Sequence, residues 1–178
     1  MVIRVSGHPG AGKSTLCKRL AVALGYQYRY AGGIFREMAA KKNISIESFY
    51  AMLAGDPAIE THIDQQTAEI LKTTDNMIIE GRMAPFLPCP FPTINILLTV
   101  EPAMGAQRAV TRPENVGKSA EEMLQLNAMR QATEKERFHT LYQIADNFDP
   151  KHFDLIIDTT SLTPDQTFET VLEKIKHF

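Results

Sequence analysis

The chain has only two cysteines, Cys17 and Cys89, which lie far apart and outside any CxxC pair. That spacing supports neither a zinc site nor a disulfide framework, and it suits a reducing compartment. No apolar run approaches the roughly 20 residues that cross a bilayer, and Arg4 and His8 interrupt the apolar start of the chain. We therefore expect no membrane span, no signal peptide and a cytoplasmic location.

The chain also has no excess of positive charge. Its formal net charge is −2, whereas a general nucleic-acid binder carries a basic surplus, so we expect no nucleic-acid partner. Apolar residues make up 44% of the 178 residues and charged residues 22%, as in ordinary globular proteins. There is no internal repeat. This size suits one domain, 1–178, with one large core, and we expect a monomer rather than an oligomer.

Strand-like and helix-like segments alternate along the chain. Apolar runs predict five strands, at 2–6, 26–31, 76–82, 93–100 and 154–160. Helical patterns occur at 13–24, 33–43, 46–54 (with Ser45 as N-cap), 58–74, 102–112, 119–145 and 164–178. Apolar strands that alternate with helices indicate a parallel sheet covered on both faces. We therefore predict a three-layer α/β fold with about five parallel strands and helices on both faces.

A glycine-rich turn joins the first predicted strand to the first predicted helix. Its residues 7–14, GHPGAGKS, satisfy the phosphate-binding (P-loop) pattern G-x-x-x-x-G-K-[ST]. Glycines let the backbone approach phosphates, and the following helix presents its positive end to them. Lys13 can reach the outer phosphates, and the Ser14 hydroxyl can hold Mg²⁺. The predicted nucleotide site consists of Gly7, His8, Pro9, Gly10, Ala11, Gly12, Lys13, Ser14 and Thr15.

Three classes of nucleotide-binding protein could carry this loop. The guanine-reading motif N/T-K-x-D of regulatory GTPases is absent from the sequence, and the chain is small for a motor protein. A small-molecule kinase needs arginines that face the loop, because phosphoryl transfer depends on positioning and charge stabilisation. Arg36 and Arg82 follow the second and third predicted strands, where the carboxyl ends of parallel strands form a ligand crevice. Both are candidates for binding a second anion.

Other arginines are paired along predicted helices. Arg130 and Arg137 lie seven residues apart on one face, about 10 Å along the axis. Arg108 and Arg112 lie four apart, again on one face. A kinase could use such pairs to hold a phosphate chain, but charged side chains are mostly exposed, so each could equally be a surface residue.

Three polar candidates complete the predicted site. Glu80, at the end of the third predicted strand, could orient Mg²⁺-bound water or contact the acceptor, or it could simply pair with Arg82. Asp64 and Gln66 could read the edge of a base. Alternatively, these two residues simply belong to the polar, solvent-exposed face of a helix.

The chain resembles a known family of enzymes. The segments SGHPGAGKST, YAGGIFREMA, IIEGRMA, RQATEKERFHTLY and DLIIDTTSLTPDQ have the order and spacing of nucleoside monophosphate kinases. The similarity extends from residue 2 to about 175 and is closest to the compact cytidylate kinases typical of archaea. It implies ATP with Mg²⁺ as the donor and CMP or dCMP as the acceptor. Relatives often have a glycine-containing turn after the position of Tyr142, where this chain reads QIADNFDP.

The resemblance also implies roles for matched residues. Arg36 and Arg82 would hold the α-phosphate of the acceptor, while Lys13, Arg130 and Arg137 would act on the transferred phosphoryl group. The helices within 37–73 would bind the acceptor, and 103–146 would contain a lid. Two alternatives stay open: a kinase of the same fold for AMP, dephospho-CoA or another metabolite, and a nucleotide-binding regulatory protein without transfer activity.

Overall fold

The structure, a computed structural model, describes residues 1–30, 39–45, 48–49, 52 and 57–178. Its sheet has the strand order β2-β3-β1-β4-β5, and every pairing is parallel. The strands are β1 (Val2–Gly7), β2 (Gln27–Tyr30), β3 (Met77–Glu80), β4 (Thr93–Thr99) and β5 (Leu155–Asp158). The predicted five-stranded parallel sheet is confirmed.

Five long helices connect or flank these strands within the described ranges. They are α1 (Lys13–Leu24), α2 (Pro57–Thr73), α3 (Pro102–Val110), α4 (Ala120–Tyr142) and α5 (Pro164–Ile175). Their ends agree with the predicted ones to within three residues. Two of them, α4 and α5, begin with a capping box, Ser119 with Glu122 and Thr163 with Gln166. None of these helices is long and apolar enough to cross a membrane.

Helices cover both faces of the sheet because successive strand residues point to opposite sides. On one face Ile3, Val5 and Ile78 pack in a buried cluster with Leu20 of α1 and Val171 of α5. On the other face the buried neighbours of these strand residues, Val2, Met77 and Ile79, pack with Leu71 of α2 and Ala84. The three-layer arrangement predicted from the sequence is therefore confirmed.

The phosphate loop leaves the sheet at its centre. β1 lies between β3 and β4, and all six of its residues are buried. β2 and β3 lie on one side of β1, whereas β4 and β5 lie on the other, so the sheet is extended in opposite directions from β1. In open parallel sheets, ligands bind beyond the carboxyl ends of the strands at the point where this switch occurs. The residues that follow β1, β3, β4 and β5 consequently meet at one edge of the sheet.

The loop also makes a close backbone contact with α3. Gly10 has φ 78°, and a Cβ atom there would lie 2.2 Å from the carbonyl oxygen of Gly105. A Cβ on Gly105 would in turn lie 2.6 Å from the carbonyl oxygen of Pro9. Only glycine at both positions permits this approach, which fixes α3 against the loop.

Some predictions concern residues outside the described ranges. Arg36 and most of the predicted helix 33–43 fall within residues 31–38, which lie outside the described ranges. Parts of the predicted helix 46–54 also lie outside them. The predicted N-cap is described and confirmed: the Ser45 hydroxyl accepts a hydrogen bond from the Ser48 backbone N–H at 3.0 Å.

Candidate active site

The phosphate loop opens onto the N-terminal end of α1. Gly12 is the N-cap of this helix and has φ 85°, in the left-handed region that favours glycine. No side chain caps the helix, and its first turn carries no acidic residue. The first backbone N–H groups of α1 therefore have no partner within the helix, and its positive end can receive an anion.

Lys13 is held over this loop by the loop itself. Its Nζ donates hydrogen bonds to the carbonyl oxygens of Gly7 (2.8 Å) and His8 (2.7 Å). Burial, followed by repulsion from the nearby Arg82, lowers the pKa of Lys13 to about 7, although attraction from Glu80 partly offsets this. Bound phosphate would supply the negative charge that this ammonium group needs.

Two cavities lie on either side of the loop. The larger, about 560 Å³, extends from the loop toward β3, α2 and α4. The smaller, about 480 Å³, extends toward α3 and the residues that follow β5. Gly12, Thr15 and Arg112 line both cavities, so the two spaces meet at the loop. Such an arrangement can hold two ligands whose reacting ends face each other.

A buried carboxylate joins the arginines of the larger cavity. Glu134, on α4, is only 4% exposed and forms ion pairs with Arg82 and with Arg130, whose Nε lies 2.9 Å from its Oε1. Arg82 also lies 5.8 Å from the centre of the Phe148 ring. The structure thus brings together two arginines that are far apart in the sequence and places a carboxylate between them.

The far side of the larger cavity contains one further predicted acceptor residue, Asp64. Asp64 of α2 lines it, and the Tyr142 hydroxyl donates a 2.5 Å hydrogen bond to the Asp64 carboxylate. Burial raises the pKa of Asp64, against the effects of Tyr142 and Arg137. Arg137 lines the same cavity, whereas Gln66 is exposed on α2 and is not among the described residues that line it.

Glu80 lies at the end of β3 beside the loop and is 2% exposed. Its carboxylate accepts hydrogen bonds from the hydroxyls of Ser14 (2.8 Å) and Tyr28 (2.5 Å). Burial and this bond to Glu80 raise the pKa of Tyr28. The ion pair with Arg82 that the sequence left open is made by Glu134 instead.

These groups suit a Mg²⁺ ion that accompanies a nucleotide. Among the described residues, no cluster of three or more His, Cys, Asp or Glu side chains could hold a metal ion by itself. Mg²⁺ prefers oxygen ligands, keeps several waters and is usually held by one or two carboxylates together with substrate phosphates. The Ser14 hydroxyl and the Glu80 carboxylate fit that pattern.

The smaller cavity is bounded by residues that tie β5 to α3. Arg108 donates hydrogen bonds from its guanidinium to the carbonyl oxygens of Thr159 (2.8 Å) and Thr160 (3.1 Å). The Thr159 hydroxyl lies 3.2 Å from the carbonyl oxygen of Ala11 in the loop. Asp158 accepts hydrogen bonds from the backbone and hydroxyl of Thr160, so its described contacts stabilise the turn after β5.

The segment after α4 packs back onto the loop. Gln143 follows the last residue of the helix and has φ 58°, in the left-handed region. Five residues later the Phe148 ring meets the His8 ring edge-on, with centroids 4.8 Å apart. His8 therefore has a packing contact in addition to its backbone role in the loop.

Sequence reasoning missed two residues of this site, Glu134 and Tyr28, and left the role of a third open. Glu134 lies four residues after Arg130 and three before Arg137, a helical spacing from which the contact could have been predicted. Arg112 belongs to the pair for which the sequence left both a phosphate-binding and a surface role open, and it lines both cavities. Tyr28 has no local signal, because its bond to Glu80 joins residues 52 positions apart.

The central P-loop, the parallel sheet of this strand order and the two cavities define a P-loop kinase fold. The chain belongs to the cytidylate kinase-like family, which matches residues 2–161. It is 36% identical to the cytidylate kinase of Pyrococcus abyssi over 177 residues, 99% of this chain and 94% of that protein. The cytidylate kinase of Pyrococcus furiosus is 35% identical, over 99% of this chain and 89% of that protein.

Solved structures support the fold independently. A shikimate kinase from Acinetobacter baumannii in complex with shikimate superposes with a TM-score of 0.62, covering 99% of this chain and 93% of that one. Its sequence is only 17% identical, so the likeness concerns the fold alone.

Proposed function

We propose that this protein transfers the γ-phosphoryl group of Mg²⁺·ATP to CMP or dCMP, giving CDP or dCDP. The observation that carries the proposal is the pair of cavities that meet at the phosphate loop, in a chain of the cytidylate kinase-like family. ATP would occupy the smaller cavity, with its phosphates on the loop. The monophosphate would occupy the larger cavity, among Arg82, Arg130 and Arg137.

The donor side depends on the loop. Backbone N–H groups at the start of α1 and the Lys13 ammonium would bind the β- and γ-phosphates, where charge develops during transfer. Arg112, which lines both cavities, would contact the phosphate chain at their junction. Ser14 and Glu80 would hold Mg²⁺, directly or through water, and the ion would neutralise phosphate charge.

The acceptor side supplies the nucleophile without a general base. A phosphate monoester is largely dianionic near neutral pH, with a second pKa of about 6. One of its oxygens would form the new bond to the γ-phosphorus as the bond to the β–γ bridging oxygen breaks and ADP leaves. Arg82 would hold this monophosphate. The phosphate would then share the Arg82 guanidinium with the Glu134 carboxylate or displace that carboxylate. Exclusion of water by a lid within 103–146 would favour transfer over hydrolysis.

Asp64 would read the base. A carboxylate accepts from the exocyclic amino group of cytosine, whereas uracil presents a carbonyl oxygen at that position. The Tyr142 hydroxyl holds one of its oxygens, which leaves the other for the ligand. Gln66 and Arg36 remain proposed acceptor contacts from the sequence. We further propose a single-domain monomer in the cytoplasm, a location that fits the free thiols of Cys17 and Cys89.

The test is ADP formation from Mg²⁺·ATP with CMP, dCMP, UMP, AMP, GMP or dephospho-CoA, beside a reaction without acceptor. We expect strong stimulation by CMP or dCMP alone. Stimulation by AMP, dephospho-CoA or another metabolite would identify a kinase of the same fold with a different acceptor. Nucleotide binding with no acceptor-dependent ADP would instead indicate a regulatory protein.

A further inference from the structure

The Glu80 carboxylate has a hydroxyl partner on each of its two oxygens. Ser14 Oγ lies 2.8 Å from Oε1, and Tyr28 Oη lies 2.5 Å from Oε2. Because Glu80 is 2% exposed, these two bonds replace most of the water that a charged carboxylate would otherwise have. Together they determine which way the carboxylate faces.

The two partners differ in what a ligand can do to them. Ser14 belongs to the phosphate loop and lines the larger cavity, so a nucleotide and its metal ion can reach it directly. Tyr28 belongs to the edge strand β2, where it pairs with Ile78 of β3. Its half-buried ring packs against the main hydrophobic cluster. Tyr28 is therefore fixed by the sheet, whether or not the loop is occupied.

The placement of Tyr28 suits a side chain that supports Glu80 from behind. Tyr30, two residues later on the same face of β2, pairs in register with Glu80 and lines the larger cavity. Tyr28 lies two residues further from the carboxyl end of the sheet than Tyr30, and it is not among the described residues that line either cavity. It reaches the carboxylate without occupying ligand space.

We propose that Tyr28 is a positioning residue for the metal-facing carboxylate: its hydroxyl holds Oε2 of Glu80 so that Oε1 stays directed toward Ser14 and the ion. The proposal rests on the proposed function in taking that ion to be the Mg²⁺ that accompanies ATP. Hydrogen-bonding partners of metal-facing side chains typically change metal affinity or activity by 10- to 100-fold when removed.

The first experiment measures metal binding directly. Mn²⁺ is titrated into the protein with saturating ADP, and bound Mn²⁺ is followed by electron paramagnetic resonance. We expect Tyr28→Phe to weaken Mn²⁺ binding by about tenfold, with ADP affinity in the absence of metal unchanged. Tyr26→Phe is the matched control, since this half-buried tyrosine packs on the same cluster and should leave Mn²⁺ binding as it is.

A double mutant separates positioning from a general loss of packing. If Tyr28 acts through the carboxylate, Tyr28→Phe should have no further effect in a Glu80→Gln background, where Mn²⁺ binding is already weak. In turnover assays, the Mg²⁺ concentration for half-maximal rate should rise while KM for CMP stays the same. Wild-type Mn²⁺ affinity in Tyr28→Phe, or an equal loss with and without Glu80, would overturn the proposal.

The metal titration also separates this inference from the proposed function. If the acceptor panel gives no phosphorylated product, the proposed function fails, yet Mn²⁺ binding with ADP still tests Tyr28. If CMP is phosphorylated and Tyr28→Phe binds Mn²⁺ normally, only the inference about Tyr28 fails.

Discussion

At the scale of single residues, Lys13 has the most unusual environment in the described part of the loop. It lies among Arg82, Arg112 and Arg130, with Glu80 as the nearby opposite charge, and its pKa falls from the ordinary 10.5 to about 7. Negative phosphate oxygens favour the charged form of a lysine, so a bound nucleotide would raise this pKa again. Proton binding and nucleotide binding are therefore linked at this residue.

This linkage predicts a pH dependence of nucleotide binding. Above pH 7 the free protein has lost the Lys13 proton, so binding must take one up, and the affinity for ADP should fall as pH rises, by up to about tenfold per pH unit. Calorimetric titration in two buffers of different ionisation enthalpy counts the protons. The same titration of Lys13→Met counts the protons exchanged by the ligand's own phosphates, and this number is subtracted from the wild-type count. Equal proton counts for wild type and Lys13→Met would contradict the prediction.

Asp64 carries a second prediction at this scale. In Asp64→Asn the side chain can turn a donor toward the carbonyl oxygen of uracil, so the ratio of kcat/KM for CMP to that for UMP should fall at least about tenfold. Steady-state assays with both acceptors measure it. Glu69→Gln is the matched control, because this exposed carboxylate lies on the same helix and pairs with Lys72. An unchanged ratio would remove Asp64 from base recognition.

At the scale of elements, α4 illustrates where sequence patterns succeed and where they end. Its start was predictable, because Ser119 and Glu122 form a capping box and a helical pattern follows. Its end was placed three residues too late, since QIA continues the pattern with no glycine or proline to stop it. The helix stops at Tyr142 because the backbone of Gln143 turns left-handed. The next segment then packs on the loop through Phe148 and His8, a contact between distant residues that no local pattern encodes.

The conformation of Gln143 predicts a stabilising substitution. The left-handed region destabilises a residue with a Cβ atom by about 1–2 kcal/mol, and substitution by glycine removes this strain. Part of that stabilisation is lost because glycine gives the unfolded chain more conformational freedom. Gln143→Gly should therefore raise the free energy of unfolding by about 0.5–1 kcal/mol. Urea denaturation with an unchanged m-value measures this, with Gln143→Ala as the control. Equal stability of the two variants would show that the turn is not strained.

At the scale of the whole molecule, the two cavities share the lining residues Gly12, Thr15 and Arg112 at the phosphate loop. A single molecule with adenosine and cytidine joined 5′ to 5′ by a chain of phosphates could occupy both. Linking two ligands can raise affinity by 10²–10⁴ over that of either alone. We expect such a compound to bind far more tightly than ADP or CMP in calorimetric titrations, and more tightly than its adenosine–adenosine counterpart. Affinity no greater than that of ADP would mean that the cavities do not act together.

Most of the fold could be predicted from the sequence, whereas the contacts between side chains of the candidate site could not. Strand and helix periods are local, so the alternation of elements and the three layers followed directly, and the P-loop is itself a local motif. The contacts among Arg82, Glu134 and Arg130, or between Tyr28 and Glu80, join distant segments, and no local pattern encodes them. The family resemblance implied roles for the arginines, while the structure showed that the Glu134 carboxylate pairs with Arg82 and Arg130.

The backbone contact between Gly10 and Gly105 limits how this protein can change over generations. A side chain at either position would meet a carbonyl oxygen of the other segment, so no single substitution there has a neighbour that can simply move aside. The positions of Arg108 on α3 and of Arg112, two residues after the end of α3, depend on that contact. A change in the preferred nucleotide donor is therefore expected to arise through substitutions in the cavity walls rather than through a shift of α3 against the loop.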